Sequence, residues 1–235
     1  MLREIDSNIW VAEQPLRYLG LSVGARMTVL RLNNRELAVI SPIQASDTMV
    51  SQLGELGTVQ HIIAPNLYHY LFIARFKALY PNATVWAVPG LAVKKPDLPI
   101  NNIIDRNTHS LWNGLEYTFF DGFRTLGLSG FDSLNECVFF HSASRTLILT
   151  DTAVHFDEGF PLLTQFASRV LGGYKKLSPT LWERMATTEK ERVRKSIETI
   201  LDWDFERVVM AHGSVIEQQG KEKLKRGYEH FCARR

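Results

Sequence analysis

Between Glu36 and Val88 the apolar residues switch spacing repeatedly, and this constrains the fold more than any other feature of the chain. Glu36 to Ile40 reads as a strand. Ser46 can cap a helix that carries Met49, Leu53 and Leu56 and ends at Gly57. The run His61 to Ala64 is a short buried strand, broken by Pro65-Asn66. A second helix, from about Tyr68 to Leu79, places Leu71, Phe72, Phe76 and Leu79 on one face and stops at Pro81, after which Thr84 to Val88 is strand again. Strand, helix, strand, helix, strand in that order predicts parallel pairing with helices packed outside the sheet.

The flanks add strands and helices in blocks. Ile5 to Glu13 and Arg26 to Leu32 read as strands, the second joined to Glu36–Ile40 through Asn33-Asn34, residues that tolerate the positive φ of a tight turn. Gly90 to Gly114 is rich in Pro, Asn and Asp and predicts a long surface loop with a short helix. Leu115 to Phe120, Phe123 to Leu128, Glu136 to His141 and Arg145 to Thr150 follow as short strands. Helices are expected over Pro161–Leu171, Pro179–Met185 and Thr188–Leu201, the last opened by a capping box of Thr188 and Glu191. Arg207 to Ala211 is a final strand, and a helix from about Glu217 to Phe231 closes the pattern. Two blocks, each with strands ahead of helices, predict a mixed α/β (α+β) chain arranged as a four-layered αββα sandwich. At 235 residues the expectation is one domain over residues 1–235.

Charge and composition remove several classes. Twenty-seven Lys and Arg against 25 Asp and Glu leave a formal net charge of +2, which gives no electrostatic case for nucleic acid. Lys221, Lys223, Lys225 and Arg226 alternate with Glu217, Glu222 and Glu229 and read as a solvated helix face. No window approaches the ~18 apolar residues of a membrane span, and residues 1–10 show no apolar leader, so the expectation is a cytoplasmic protein without a membrane partner. Cys137 and Cys232 belong to no metal or redox spacing, and Cys137, inside an apolar strand, reads as a buried thiol.

Three residues share a topological place. His69, Asp151 and His212 each lie just past the end of an expected strand, where open α/β sheets put ligand-binding groups. Two imidazoles and a carboxylate are a ligand set for zinc or non-haem iron, with positions left for water or substrate. Taken singly, each has a plainer explanation: a histidine that packs or hydrogen bonds, an aspartate that caps its turn, and a His-Gly turn that needs only the glycine. The weight lies on the three together. Asn66, Glu136, His155 and Asp157 are secondary ligand candidates, whereas His109 and His141 read as structural. Glu136 alternates with Val138 and Phe140, so a carboxylate toward the sheet interface needs a partner. Leu162, Leu163, Phe166, Val170 and Leu171 predict a core helix, or a lid hinged at Gly172-Gly173, and Tyr174 and Trp182 can line an apolar pocket.

These residues sit in stretches that resemble a known family. IIAPNLYH (Ile62 to His69) resembles the segment in which hydrolases of the metallo-β-lactamase fold carry HxHxDH. TLILTDT, ending around Asp151, resembles their strand that ends in a bridging aspartate, and VVMAHG resembles their closing strand ending in His-Gly. The hairpin MTVLRLNNRELAVISP is similar to their early hairpin, with Ser41-Pro42 replacing the usual Asp-x-Gly. More narrowly the pattern resembles an uncharacterised subfamily, the domain of unknown function 4336. The resemblance implies a sandwich of metallo-β-lactamase type across nearly the whole chain.

It also implies which ligands are gone. Ala64 and Asn66 stand at the family's two earlier motif histidines, Tyr68 at its aspartate, and Phe131, in LSGFDSLNECVFF, at the third histidine of the first metal site. That leaves His69, Asp151 and His212, the second site without its motif aspartate. Two functions are expected from this. One is a mononuclear metal-dependent hydrolase with one zinc or iron ion and a small-molecule substrate; the other is a non-catalytic relative acting as a small-molecule or protein binding module. Iron-dependent redox chemistry on the same scaffold is a third and more distant expectation.

Overall fold

In the computed structural model, which describes residues 1–112, 114–127 and 130–232, the alternating segment forms as its spacing requires. The chain enters through β1 (Leu2–Asp6) and β2 (Ile9–Gln14), an antiparallel hairpin where the sequence predicts one strand; Asn8, at φ 67°, turns the chain between them. β3 (Arg17–Tyr18) and β4 (Leu21–Ser22) make a second, smaller hairpin. β5 (Ala25–Arg31) returns antiparallel to β6 (Glu36–Ile40) through the Asn33–Arg35 turn, where Asn34 has φ 58°. Helix α1 (Asp47–Leu56) starts on Ser46, whose side chain accepts the Met49 N–H, and ends at Gly57. β7 (Thr58–Ala64), α2 (Ile73–Leu79) and β8 (Thr84–Ala87) complete the unit, followed by α3 (Leu91–Lys94), β9 (Asn102–Ile103) and β10 (Ser110–Trp112).

The second half comprises β11 (Leu115–Phe120), the hairpin β12 (Arg124–Gly127) and β13 (Gly130–Ser133), then β14 (Glu136–His141) and β15 (Thr146–Ile148). Leu128, expected to end one of these strands, lies outside the described residues. Helices α4 (Leu162–Leu171), α5 (Leu181–Ala186) and α6 (Lys190–Asp202) precede β16 (Arg207–Val209), and α7 (Gly220–Gly227) and α8 (Glu229–Cys232) follow.

Two sheets result. The first has the order β1-β2-β5-β6-β7-β8-β9, with β6 through β9 parallel, and the second the order β10-β11-β14-β15-β16. Strand alternation makes the layers. Tyr117, Phe119, Cys137, Phe139 and Ile148 pack into one cluster with Val29, Val39 and Ile62 of the first sheet, and α1 and α2 add Met49, Leu53, Ile73 and Phe76 from its other side. Phe120, Val138, Phe140 and Leu147 point the opposite way, onto Val193, Ile197 and Ile200 of α6. Burying each such side chain is worth roughly 1.5–3 kcal/mol, so α6 is fastened by its apolar stripe and not by the exposed ion pairs of Arg194. Helix, sheet, sheet, helix is the αββα sandwich of metallo-β-lactamase type. No helix among the described residues is long and apolar enough to cross a membrane.

Several local expectations change. α2 starts at Ile73 and not Tyr68, because the Asn66 side chain takes the N–H groups of Tyr68 and His69 and bends residues 68–72 into a turn. Leu71 is consequently 67% exposed and Leu79 49%, and Ile73 and Phe76 form the buried face. The capping box falls at Thr180 and Glu183, ahead of α5, and Thr188 caps nothing. The closing helix divides at Tyr228, whose buried hydroxyl is bonded to the Thr152 carbonyl. Glu136 shares the side of Val138 and Phe140, toward α6 and away from the sheet interface.

Helix α4 is the largest departure. It is neither a core helix nor an apolar-faced lid. Thr164, Gln165 and Ser168 are its buried residues, whereas Leu162, Leu163, Phe166 and Val170 are exposed. Gln165 explains the orientation: its amide donates to the carbonyls of Glu158 and Phe160, and its oxygen accepts from Arg169 and Tyr174, an anchoring that an apolar residue cannot supply.

Candidate metal centre

His69, Asp151 and His212 meet at the ends of strands from both sheets. Each arrives by a different device. β7 delivers Pro65 and then Asn66, which is fully buried; the Asn66 oxygen accepts from Tyr68 N (2.7 Å) and His69 N (2.8 Å) and so fixes the turn that presents the imidazole. Ser41, just beyond β6 at φ 54°, places its hydroxyl 2.5 Å from His69 Nδ1, so the Ser41-Pro42 departure supplies a partner to the imidazole.

Asp151 rides on the segment after β15, and Glu136 at the start of β14 holds that segment. The Glu136 carboxylate is completely buried and accepts from Thr150 N (2.8 Å), Asp151 N (2.7 Å), Thr152 N (3.2 Å) and Thr152 Oγ1 (2.9 Å), with Asn66 Nδ2 at 3.4 Å. All of these partners donate, so the arrangement suits an ionised carboxylate. Burial and then the Asp151 charge push its pKa up, and the N–H groups of Thr150 and Asp151 work against that rise. Glu136 therefore braces the backbone of Asp151, and both of its carboxylate oxygens are engaged.

His212 follows β16 in a turn that only glycine completes. Gly213 has φ +93°, and a Cβ there would stand 2.1 Å from the His155 carbonyl oxygen. The turn is tied to the first sheet by Arg26 of β5, 6% exposed, which donates to the carbonyls of Met210 and Gly213 and to Glu13. His212 Nδ1 lies 2.6 Å from the Gly24 carbonyl oxygen and donates to it, and Nε2 faces Asp151.

His69 Nε2 lies 3.1 Å from Asp151 Oδ2 and 3.2 Å from Oδ1, His212 Nε2 lies 3.3 Å from Oδ1, and the three donor atoms fall within 4.8 Å of one another. Ligand atoms around a tetrahedral zinc with bonds of about 2.0–2.1 Å stand about 3.3 Å apart, so the donor types and the two contacts to Asp151 match such an ion, with the two imidazoles within 4.8 Å of each other. Nδ1 contacts to a hydroxyl and a backbone carbonyl are the outer partners that metal-ligating histidines use. Burial pushes the Asp151 carboxyl up, but the charges and hydrogen bonds of His69 and His212 outweigh it and hold the group well below the usual carboxylate range. Burial likewise works to lower the His69 pKa, and the Asp151 charge overcomes it, so His69 is raised.

No other described residues form a comparable His, Cys, Asp or Glu cluster. His155 and Asp157 stay outside it, and His141 pairs with Ser144 at 2.7 Å. Ala64 is buried in the core, and Asn66 gives its amide to Asp151 Oδ2 (2.8 Å) and Thr150 Oγ1 (3.0 Å). Tyr68 turns its hydroxyl to Asp132 (3.4 Å) beneath the Lys94 ammonium, 3.7 Å from its ring, and burial lifts its pKa to about 12. The Phe131 side chain lies outside the described residues. Arg26 and Ser41 are the residues that the sequence did not reveal, because their partners lie far away along the chain.

The cluster lies at a cavity of about 400 Å³ whose walls come from the β3–β4 hairpin, the residues after β6 and helices α4 and α5. Trp182 lines it as expected, whereas Tyr174 does not.

The family model described as domain of unknown function (DUF4336) matches residues 6–178. No curated protein matches the chain by sequence. Among solved structures, DIM-1 metallo-β-lactamase exposed to ceftazidime aligns at a TM-score of 0.68 with 12% identity, over 98% of this chain and 96% of that one. The mono-zinc form of the metallo-β-lactamase FIM-1 from Pseudomonas aeruginosa aligns at 0.60 with 8% identity, over 99% and 92%. A metal-soaked Flv1 flavodiiron core from Synechocystis sp. PCC6803 aligns at 0.64 with 14% identity, covering 99% of this chain and 60% of that one. Identities this low establish the fold and carry no chemistry with them.

Proposed function

Because the chain belongs to the DUF4336 family and has the metallo-β-lactamase fold, we propose that it is a hydrolase of small molecules that works with one zinc or iron ion held by His69, Asp151 and His212. The observation that carries this reading is the convergence of His69 Nε2, an Asp151 oxygen and His212 Nε2, with both Nδ1 atoms already engaged by Ser41 and Gly24. When bound, such an ion acidifies water enough to supply a nucleophile near neutral pH. A neighbour of the same fold occurs in a mono-zinc form, which makes one ion on this scaffold reasonable.

The protein's own residues do the rest. The Gly24 carbonyl accepts from His212 Nδ1, Ser41 orients the His69 ring, Glu136 holds the Asp151 backbone and Asn66 donates to the Asp151 carboxylate. The cavity walls shield a substrate from bulk water, which strengthens electrostatic contacts at the cluster.

Elemental analysis of protein purified without chelator or affinity metal, alongside Asp151→Ala and His212→Ala, tests the reading. About one equivalent of zinc or iron is expected in the parent and none in the variants. A parent that takes up no metal on reconstitution overturns it. The lost ligands at Ala64, Asn66 and Tyr68 would then favour a binding module without catalysis.

A further inference from the structure

Away from the cluster, the cavity wall is built from Leu21, Val23, Ile43, Val154, Phe156 and Leu171. Its polar side chains are engaged within the protein. Thr164 donates to the Ser22 carbonyl, Ser168 to the Gln165 carbonyl, and Thr125 and Thr180 both donate to Glu183, which also accepts the Thr180 N–H. A polar ligand body entering this space gives up water and gains few donors in return, whereas a hydrocarbon loses nothing there.

The mouth has the same character. Tyr18, Leu19, Leu71 and Trp182 line the cavity and yet are 48%, 73%, 67% and 44% exposed, so apolar surface continues from the interior to solvent. Large apolar side chains that line a cavity and are also exposed to water mark a ligand path more than chance exposure. Helix α4 walls the cavity with Thr164, Ala167, Ser168 and Leu171, and its inverted orientation sends its bulkiest groups outward, so that this wall is made of small side chains apart from Leu171. Space is thereby left where an ordinary amphipathic helix would fill it.

We infer that the substrate is an amphiphile with an unbranched hydrocarbon chain, the chain lying in the cavity and a hydrolysable polar group at His69, Asp151 and His212. This rests on the hydrolase reading and adds the substrate class. An ester of a medium-length acyl chain meets this description. Water adds across the acyl C–O bond: its oxygen joins the acyl carbon, the alkoxy oxygen leaves and takes one proton as the alcohol, and the other proton goes to the carboxylic acid or to solvent.

Binding and turnover are measured separately. Linear 1-alkanols from butanol to decanol are titrated against the metal-free parent by calorimetry below their aggregation limits, and nitrophenyl esters of the matching acyl chains are assayed with the zinc-loaded protein. Alkanol affinity should rise about fourfold per methylene until the chain outgrows the cavity. Ala167→Trp, which fills the space, should remove that gradient, and Leu71→Glu, at an exposed position that leaves folding intact, should weaken the longest alkanols several-fold. Affinities that do not depend on chain length, or a gradient unchanged in both variants, overturn the inference. Esters turned over at rates indifferent to chain length leave the hydrolase standing and also overturn it. A chain-length gradient in binding without turnover of any ester supports the apolar chain site and counts against hydrolysis.

Discussion

Asn66 donates its side-chain amide to Asp151 at 2.8 Å, and with its oxygen it holds the backbone of His69. Asn66, which the resemblance sets at a motif histidine, is thus a brace between Asp151 and His69. Its amide meets one and its carbonyl the other, a double role that only an uncharged amide can fill.

Asn66→Ala should therefore weaken zinc binding roughly 10–100-fold, the usual cost of removing a partner from behind metal ligands. Competition with a chromogenic chelator reads this directly. An affinity equal to the parent's would show that His69 and Asp151 are held by other means.

Glu136→Gln keeps the volume but turns an amide N–H₂ toward groups that donate, including the N–H groups of Thr150, Asp151 and Thr152. Leaving one of these buried donors unmatched costs roughly 1–3 kcal/mol. Urea unfolding of the metal-free protein should show a loss of that size, accompanied by weaker metal binding as the Asp151 segment loosens.

Gly213→Ala places a Cβ against the His155 carbonyl in a backbone region that side chains avoid. The turn must move, and His212 with it. The expected result is a destabilisation above about 2 kcal/mol in thermal unfolding, together with loss of metal binding.

In α4 the ordinary rule for surface and core should be reversed. Phe166→Ser, at a residue 66% exposed, should change stability by no more than about 0.5 kcal/mol. Gln165→Leu, an apolar substitution at a buried position, should cost roughly 1–3 kcal/mol because the carbonyls of Glu158 and Phe160 and the hydroxyl of Tyr174 lose their partner. Equal effects in denaturant titrations would contradict the orientation of this helix.

His61 gives a pH dependence whose sign can be worked out. Its Nδ1 accepts from Trp86 Nε1 at 3.3 Å, and its ring lies 4.3 Å from that of Trp112; burial lowers its pKa, and Glu36 only partly restores it. In the window from the ordinary histidine value of about 6.5 down to the folded value, the unfolded chain takes a proton that the folded chain refuses. Stability should fall as pH falls through that window. His61→Gln should flatten this part of the profile, measured by thermal unfolding with tryptophan fluorescence between pH 5 and 8.

The sequence shows the site's members better than their supports. His69, Asp151 and His212 were legible because each follows an apolar run, and strands of parallel sheets bring such ends to one edge. Glu136 was visible as a charge in an apolar strand that needed partners, although its partners were not. Arg26 gave no signal, since its acceptors at Met210 and Gly213 are separated from it by most of the chain. Periodicity showed that α4 has two faces. Which face turns inward was decided by the Gln165 contacts, and spacing alone holds no information about those.

The distance along the chain between Arg26 and its acceptors has a consequence for the order of assembly. During synthesis β5 emerges long before the turn after β16 exists, so its guanidinium has Glu13 alone for company until the carbonyls of Met210 and Gly213 arrive. A nascent chain halted ahead of β16 would hold a cation with two acceptors missing, and His69 would face an incomplete shell. The first sheet can form early, but its arginine lacks two of its acceptors until the strand β16 docks, and that docking joins the completion of the His69, Asp151 and His212 cluster to the completion of the fold.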